Sequence, residues 1–225
     1  MVCRAVKKAA KAGLLTYSSG MGRQRWGLMI LLCVLAYLLG SVPTAYLFGK
    51  WKKGIDIRQY GSGNVGATNA FRVLGKLPGV LVLVIDVTKG VLAVSLLPQF
   101  VKAVVPFDSS WIVAILGMLA IAGHIWTPFL KFQGGKGVAT SLGVFMAMDP
   151  FSTLIALTVW ILVLALFRYV SVSSITAAIT LPIVMGLWLR PFPWVLIAST
   201  SCFIICYRHK VNVQRLLVGS EKKIG

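Results

Sequence analysis

Long apolar stretches with almost no charge constrain the fold of this chain more than any other feature. A helix that crosses a bilayer needs about 20 apolar residues, and its backbone polar groups must be satisfied within the segment. Only 12% of the 225 residues are charged, against roughly 25% in an average soluble domain. The sequence therefore predicts a helical membrane protein, with apolar runs at residues 26–48, 77–98, 111–130, 138–167, 171–189 and 193–207.

The run at 138–167 is interrupted by Asp149-Pro150. Proline cannot continue a helix and biases the residue before it away from helical geometry, so this pair predicts a hairpin turn and a short helix at 138–148. The predicted fold is an all-α integral membrane protein, a polytopic bundle of about seven transmembrane helices. Residues 26–219 would form one domain, preceded by a basic segment at 1–25 and followed by a tail at 220–225.

Positive residues in the connections predict the orientation, because cytosolic loops carry an excess of Lys and Arg. The connections on one side carry Lys102 and Arg190. Those on the other side, with the C-terminal tail, carry Lys50, Lys52, Lys53, Arg58, Arg72, Lys76, Lys131, Lys136, Arg168, Arg208, Lys210, Arg215, Lys222 and Lys223. We therefore expect the C-terminus in the cytosol and the N-terminus outside.

The basic segment 1–25 contradicts that orientation. Three interpretations compete: a signal peptide, although no small-residue cleavage site follows the apolar run; an amphipathic segment on the membrane surface; and a translation start placed too early, with Met21 as the working initiator. We expect this segment to be dispensable, and the internal loops, which agree with one another, carry the orientation.

The formal net charge of +18 comes from 23 Lys and Arg against 5 Asp and Glu. Nucleic-acid binders usually carry soluble basic patches with interleaved aromatic residues, and no such patch is present. Attraction to anionic lipid headgroups and an anionic substrate both remain open. The acidic residues are scattered, so neither a metal site nor a metal cofactor is expected. The cysteines show no CxxC spacing, and no disulfide framework is implied.

The segment 61–69, GSGNVGATN, is the most informative stretch. It contains GxGxxG, but that motif indicates a dinucleotide only between a strand and a helix, which do not fit between two membrane spans. Glycines also let backbone N–H groups converge on an anion, and Arg72 follows shortly. The alternative is a flexible glycine-rich linker.

A second stretch, 131–140, reads KFQGGKGVAT. Lys136 stands among glycines just before an apolar run, so its ammonium and the positive end of a helix dipole point the same way. The alternative is an ordinary lysine at a helix boundary. His124, upstream, is equally compatible with a packed histidine and a substrate contact.

Two further pairs combine polar groups with helical spacing. Asp86 and Lys89 share a helix face. Each would cost about 2.5–3.5 kcal/mol alone at mid-membrane, so they should pair and face the interior, either as a structural ion pair or in a site. His209 and Asn212 also share a face, and the neighbouring Arg208 and Lys210 fit a helix end whose basic side chains reach towards water.

These stretches, with GSVPTAY at 40–46 and Gly49-Lys50, resemble the bacterial acyl-phosphate-dependent glycerol-3-phosphate acyltransferase family. The resemblance covers about residues 30–219 in motif order. No HxxxxD motif is present, since Phe129 and Gln214 stand five residues after the two histidines, and no GxSxG elbow is present either. A covalent serine mechanism therefore has no support.

The resemblance implies a seven-helix fold in a bacterial inner membrane with its site facing the cytosol. It implies transfer of a fatty acyl group from acyl phosphate to the 1-hydroxyl of glycerol 3-phosphate. The products would be lysophosphatidic acid and inorganic phosphate, early in phospholipid synthesis, and no cofactor is implied. A monomer among membrane lipids, coupled to the enzyme that makes acyl phosphate, is compatible with this picture.

The expected site residues come from all of these motifs. Two phosphates must be held close together, and a substrate phosphate oxygen would take the hydroxyl proton. We expect catalytic roles in positioning and charge stabilisation for Thr68, Asn69, Arg72, Lys136, His209 and Asn212. We expect substrate-binding roles for Ser62, Gly63, Asn64, Gly66, Ala67, Asp86, Lys89, His124, Gly134, Gly135, Gly137, Thr140 and Ser171.

Two other functions stay open at this point. A transporter or exchanger of a phosphorylated small molecule would also use basic, glycine-rich motifs, although such families usually show internal repeats, and we find none. The other is an acyltransferase that uses thioester donors.

Overall fold

The structure, a computed structural model, describes residues 26–102 and 109–224. The expectation for residues 1–25 lies outside that range. The described residues form helices and turns without a strand. The α-helices are α1 Trp26–Ser41, α2 Thr44–Lys53, α3 Ala67–Leu74, α4 Lys76–Ser95, α5 Gln99–Lys102, α6 Ser109–Ile125, α7 Val138–Met148, α8 Pro150–Phe167, α9 Val170–Leu187, α10 Phe192–Arg208 and α11 Lys210–Leu217. Short 3₁₀ turns lie at Ile57–Gln59 and Pro128–Leu130.

The long helices lie at the apolar runs predicted from the sequence. Four of them are long and apolar enough to cross a membrane, and the pair α1–α2 makes a fifth candidate. That pair bends by 41° at its break, where Pro43 lacks the N–H that a continuing helix would use. Helices α7 and α10 are apolar but shorter.

Helices α4 and α7 pack with their backbones almost in contact. A side-chain carbon on Gly143 would collide with the Val87 carbonyl, and one on Gly90 would collide with the Thr140 carbonyl. Small residues allow this close approach inside a membrane. Helices α8, α9 and α10 pack side by side, and Phe145 and Met185 are buried in the apolar core between these elements.

Helix α7 is much shorter than α8, to which it is joined by the predicted Asp149-Pro150 turn. Its 11 residues rise about 16 Å, whereas the 18 residues of α8 rise about 27 Å. At the turn, the Asp149 carboxylate accepts hydrogen bonds from Arg190 Nε at 2.8 Å and Ser152 Oγ at 2.5 Å. Because α7 ends and α8 begins at this turn, two helices of similar tilt would leave the first residue of α7 about 10 Å short of the level at which α8 ends.

Candidate active site

A cavity of about 360 Å³ opens beside the start of α7 and runs between α7, α8, α9 and α10. The loops and helix starts at one end, which we call its mouth, supply polar and cationic residues, and the four helices supply mostly apolar side chains. Thirteen of the expected site residues line it: Ser62, Asn64, Gly66, Ala67, Thr68, Arg72, Asp86, His124, Lys136, Gly137, Ser171, His209 and Asn212. The structure therefore brings residues from all four motifs to one place.

The segment 61–66 is a tight loop before α3. Gly61 and Gly63 have φ of +65° and +73°, a region that residues with a side chain rarely adopt. Asn69, the third residue of α3, holds this loop: its amide donates to the carbonyls of Ile57 at 3.2 Å and Tyr60 at 3.1 Å and accepts from the Ser62 N–H at 2.8 Å. Asn69 is buried and fully used by the loop.

The Lys136 loop is anchored by its backbone. The N–H groups of Gly134 and Gly135 donate to the carbonyls of Ile125 and His124 at 3.0 and 3.1 Å. Arg208 Nη2 donates to the carbonyls of Gly134 and Gly135 at 3.1 and 3.2 Å. Both glycines are thereby committed to structure, and they place Lys136 at the cavity.

Two helices begin at this cavity. Gly66 and Ala67 mark the start of α3, and Gly137, with φ of +88°, precedes α7. All three residues line the cavity. The positive ends of two helix dipoles therefore point at the same space, an arrangement that favours an anion.

The pKa of Lys136 lies below the ordinary value for lysine. Burial lowers its pKa to about 8, and the nearby guanidinium groups of Arg215, Arg208 and Arg72 act in the same direction, against the opposing pull of Glu221. The Lys136 ammonium donates a hydrogen bond to Asn212 Oδ1. The group is thus charged at neutral pH and close to the pH at which it titrates.

His209 ends α10 and faces the cavity in its neutral form. Burial, followed by the charge of Lys136, lowers its pKa to about 4. Its Nδ1 lies 2.8 Å from the Ile205 carbonyl oxygen, which can only accept, so Nδ1 carries the proton. The remaining nitrogen, Nε2, is an acceptor.

The carboxylate of Glu221, from the C-terminal segment, lies beside Asn212 and Ser171 at the cavity. Glu221 Oε1 accepts hydrogen bonds from Asn212 Nδ2 at 2.6 Å and from Ser171 Oγ at 3.0 Å. The segment is held by the backbone, since the Ile224 N–H donates to the Arg168 carbonyl at 2.8 Å. The residues after α11 therefore cover part of the cavity mouth.

Asp86 and His124 form a second polar corner of the same cavity. Lys89 Nζ lies 2.8 Å from Asp86 Oδ1 and 2.9 Å from His124 Nδ1. Thr44 Oγ1 donates to Asp86 Oδ1 at 2.9 Å. The predicted pairing of Asp86 with Lys89 towards the interior is what the structure has.

Six expected site residues do not line the cavity: Gly63, Asn69, Lys89, Gly134, Gly135 and Thr140. Asn69 and Lys89 make hydrogen bonds to other parts of the protein instead. Gly134 and Gly135 are held in their loop by backbone hydrogen bonds. Gly63 lies in the turn before α3. Thr140 is buried in α7 beside α4.

Three features of the site were not predicted from the sequence. These are Glu221, the hydrogen bonds from Arg208 to the Lys136 loop, and the apolar side chains that line the cavity between the helices. Glu221 carried one signal, as an acidic residue within a basic tail. The wall is formed by residues from four helices, among them Leu142, Phe145, Leu157, Trp160, Ala178 and Cys202. Hydropathy could not separate these from lipid-facing residues of the same helices.

Fold and site together define a polytopic membrane protein with a cavity that is cationic at its mouth and apolar inside, as an amphiphile with an anionic group requires. Comparison with known proteins gives the family. The model of the glycerol-3-phosphate acyltransferase family matches residues 30–219, and the chain belongs to that family.

The relatives agree over nearly their whole length. Glycerol-3-phosphate acyltransferase 2 of Moorella thermoacetica is 45% identical over 196 residues, which cover 87% of this chain and 97% of the relative. Glycerol-3-phosphate acyltransferase of Synechococcus elongatus is 44% identical over 199 residues, covering 88% and 95%. A solved structure, PlsY (YgiH), an integral membrane glycerol 3-phosphate acyltransferase in its glycerol 3-phosphate form, is similar with a TM-score of 0.80. It is 39% identical, covering 88% of this chain and 96% of that one.

Proposed function

We propose that this enzyme transfers a fatty acyl group from acyl phosphate to the 1-hydroxyl of glycerol 3-phosphate. The products are 1-acylglycerol 3-phosphate (lysophosphatidic acid) and inorganic phosphate. The observation that carries the proposal is a cavity in which a cationic mouth joins a mostly apolar wall between helices. Acyl phosphate has an anionic phosphate for the mouth and an apolar chain for the interior. Glycerol 3-phosphate is small and anionic, so it would bind at the mouth.

The two phosphates would occupy neighbouring places at the mouth. One would lie against the 61–68 loop and the start of α3, with Thr68 near the reacting carbonyl. The other would lie against Lys136 and Arg72, which both line the cavity. Asn212, whose amide has a second N–H beside the one given to Glu221, would be a neutral donor, and Ser171 would be a neighbouring contact. Holding both substrates in one cavity makes the reaction effectively intramolecular.

The chemistry needs no nucleophile from the protein, because acyl phosphate is already an activated anhydride. The glycerol oxygen attacks the acyl carbon, a substrate phosphate oxygen takes the hydroxyl proton, and the bond between the acyl carbon and the phosphate oxygen breaks. The cationic groups stabilise the charge that develops on the leaving phosphate.

We assign His209 to the hydroxyl of glycerol 3-phosphate that does not react. In its neutral form it offers Nε2 as an acceptor, because Nδ1–H is used by the Ile205 carbonyl. A neutral acceptor suits an O–H group better than a phosphate oxygen. His209 would therefore orient glycerol 3-phosphate through its 2-hydroxyl and leave the proton of the attacking 1-hydroxyl to the substrate phosphate, while Lys136 and Arg72 would hold the charge.

The acyl chain would lie in the apolar wall between α7, α8, α9 and α10. The enzyme would work in the bacterial inner membrane, as a monomer, beside the enzyme that supplies acyl phosphate. Residues 26–219 would form the catalytic domain, with seven crossings, the N-terminus outside, and the C-terminus and cavity mouth on the cytosolic side.

Labelling with a membrane-impermeant thiol reagent tests the orientation. In a background without native cysteines, Leu189→Cys lies in the exposed turn after α9 and should label in intact cells. Lys210→Cys lies at the exposed start of α11 and should label after permeabilisation. The reverse pattern would contradict the orientation.

The donor is tested with purified protein in detergent and glycerol 3-phosphate, given acyl phosphate, acyl-CoA or acyl carrier protein in turn. We expect equal amounts of phosphate and lysophosphatidic acid from acyl phosphate, and turnover lower by orders of magnitude for Lys136→Ala. Lys131→Ala, at an exposed lysine outside the cavity, is the control. Product from a thioester donor with none from acyl phosphate would overturn the proposed donor.

A further inference from the structure

Lys89 is a cation whose hydrogen-bonding capacity is fully used inside the protein. Its ammonium contacts Asp86 Oδ1 at 2.8 Å, the Val42 carbonyl at 3.1 Å and His124 Nδ1 at 2.9 Å. An ammonium has three N–H donors and no acceptor, so the three neighbours use all of it. Lys89 is 3% exposed and lies behind the cavity wall.

The contact with Lys89 fixes the tautomer of His124. Because the ammonium can only donate, His124 Nδ1 must be the acceptor. The proton of the neutral imidazole then resides on Nε2. A histidine held this way presents one directed N–H donor on its far side.

The nitrogen on that far side, Nε2, lies beside Gly135. A side-chain carbon on Gly135 would collide with Nε2 and would lie 2.8 Å from the Val65 carbonyl oxygen, so only a glycine there leaves space beside this nitrogen. His124 lines the cavity, and within residues 26–102 and 109–224 its Nε2 makes no hydrogen bond. The Nε2–H of His124 is therefore available to an acceptor on a ligand bound in the cavity.

The charge of this corner indicates the kind of oxygen that binds there. The positive Lys89 and the negative Asp86 balance, and Asp86 itself lines the cavity. A phosphate would be repelled by that carboxylate and attracted to Lys136 and Arg72 at the mouth. The corner formed by Asp86, Lys89 and His124 has no net charge, so we expect an uncharged oxygen to bind there.

We propose that His124 is a catalytic residue whose Nε2–H donates a hydrogen bond to the acyl carbonyl oxygen, and that Lys89 is the positioning residue that fixes its tautomer. The inference rests on the proposed acyl transfer but not on which acyl donor is used, since acyl phosphate and thioesters both carry the carbonyl. The bond strengthens as the carbonyl oxygen becomes an oxyanion, so its effect falls on kcat.

The tautomer can be measured without an assay of activity. The chain has two histidines, so protein labelled with ¹⁵N-histidine gives four ring-nitrogen resonances, and a His209→Asn sample identifies those of His124. We expect a protonated Nε2 and an unprotonated Nδ1. A proton on Nδ1, or on both nitrogens, would overturn the proposal whatever substrate the enzyme takes.

Two substitutions of His124 distinguish a hydrogen-bond donor to the substrate from a residue that only packs against Lys89. The amide nitrogen of His124→Gln can reach the Nε2 position, whereas the amide of His124→Asn can reach only the Nδ1 position and keep the contact with Lys89. With the best acyl donor, we expect kcat within about ten-fold of wild type for Gln and lower by about 10²–10³-fold for Asn. The KM for glycerol 3-phosphate should change little. Equal losses in the two variants, or no loss in either, would contradict the donor role.

Lys89→Met tests the positioning role. Without the ammonium, His124 Nδ1 is left 3.7 Å from Asp86 Oδ1, and a proton on Nδ1 becomes favourable. We expect the ¹⁵N spectrum to show that shift of the proton and kcat to fall as in His124→Asn. An unchanged tautomer in the folded variant would remove Lys89 from the proposal.

Discussion

At the scale of single residues, Lys136 shows how the site balances charge against burial. Its ammonium is half-buried and surrounded by Arg72, Arg208 and Arg215, all of which favour loss of the proton. Glu221 opposes them, and Asn212 accepts a hydrogen bond. Such a lysine holds an anion firmly while staying close to the pH at which it would release it.

The pH dependence of turnover follows from this balance. Lys136 is charged below its pKa of about 8, so kcat/KM for glycerol 3-phosphate should fall as the pH rises through 8. In Lys136→Arg the guanidinium stays charged well above that range, and the alkaline fall should move upwards even if the overall rate is lower. A fall at the same pH in both proteins, measured from pH 6 to 10, would show that another group titrates.

Residues that carry a motif could be predicted from the sequence, but their individual roles could not. Asn69 stands in the most specific stretch, and its amide is nonetheless committed to Ile57 and Tyr60. The acidic tail residue Glu221 reaches Ser171, 50 positions away. Both contacts depend on the tertiary structure, which brings distant parts of the chain together, and a local sequence pattern does not contain that information.

At the scale of elements, α4 and α7 depend on the glycines at their contact. Their positions could be read from the apolar runs and the Asp149-Pro150 turn. The closeness of the two helices could not, since Gly90 and Gly143 are two of 22 glycines, and Gly186 in α9 meets nothing within 4 Å. A helix glycine alone does not indicate what faces it.

We expect Gly143→Ala to lower the apparent melting midpoint of the detergent-purified protein. The added carbon collides with the Val87 carbonyl, a backbone group that cannot move aside, and such overpacking costs about 1–3 kcal/mol. Gly186→Ala is the matched control and should leave the midpoint unchanged or slightly higher, because Ala favours the helix. Equal midpoints for the two variants would mean that the helices separate at little cost.

At the scale of the whole molecule, the site lies at the start of the short helix α7, where Lys136 and Gly137 line the cavity. With similar tilts, α7 stops about 10 Å short of the level at which α8 ends. This places the cationic mouth next to the apolar wall, where both halves of an amphiphile can be contacted at once. The run 138–148 was predicted to be short, but its depth relative to α8 follows from the hairpin geometry.

The apolar wall should limit the length of the acyl chain. Ala178 lines the cavity from α9, and Ala178→Leu fills part of that space. We expect kcat/KM for long-chain donors to fall about ten-fold, with short-chain donors little affected, because each displaced CH₂ is worth about 0.8 kcal/mol. Ala165→Leu, exposed on α8, is the control. A uniform loss across chain lengths in Ala178→Leu would place the acyl chain elsewhere.

The ion pair on α4 also bears on the order in which the protein assembles during synthesis. Asp86 and Lys89 draw two of their partners, Thr44 and Val42, from chain that is already made when α4 leaves the ribosome. His124 follows 35 residues after Lys89. A nascent chain that ends before α6 would therefore hold α4 in the bilayer with one ammonium proton unpaired. Stable integration of α4 should wait for α6, and the two helices should enter the lipid as a unit.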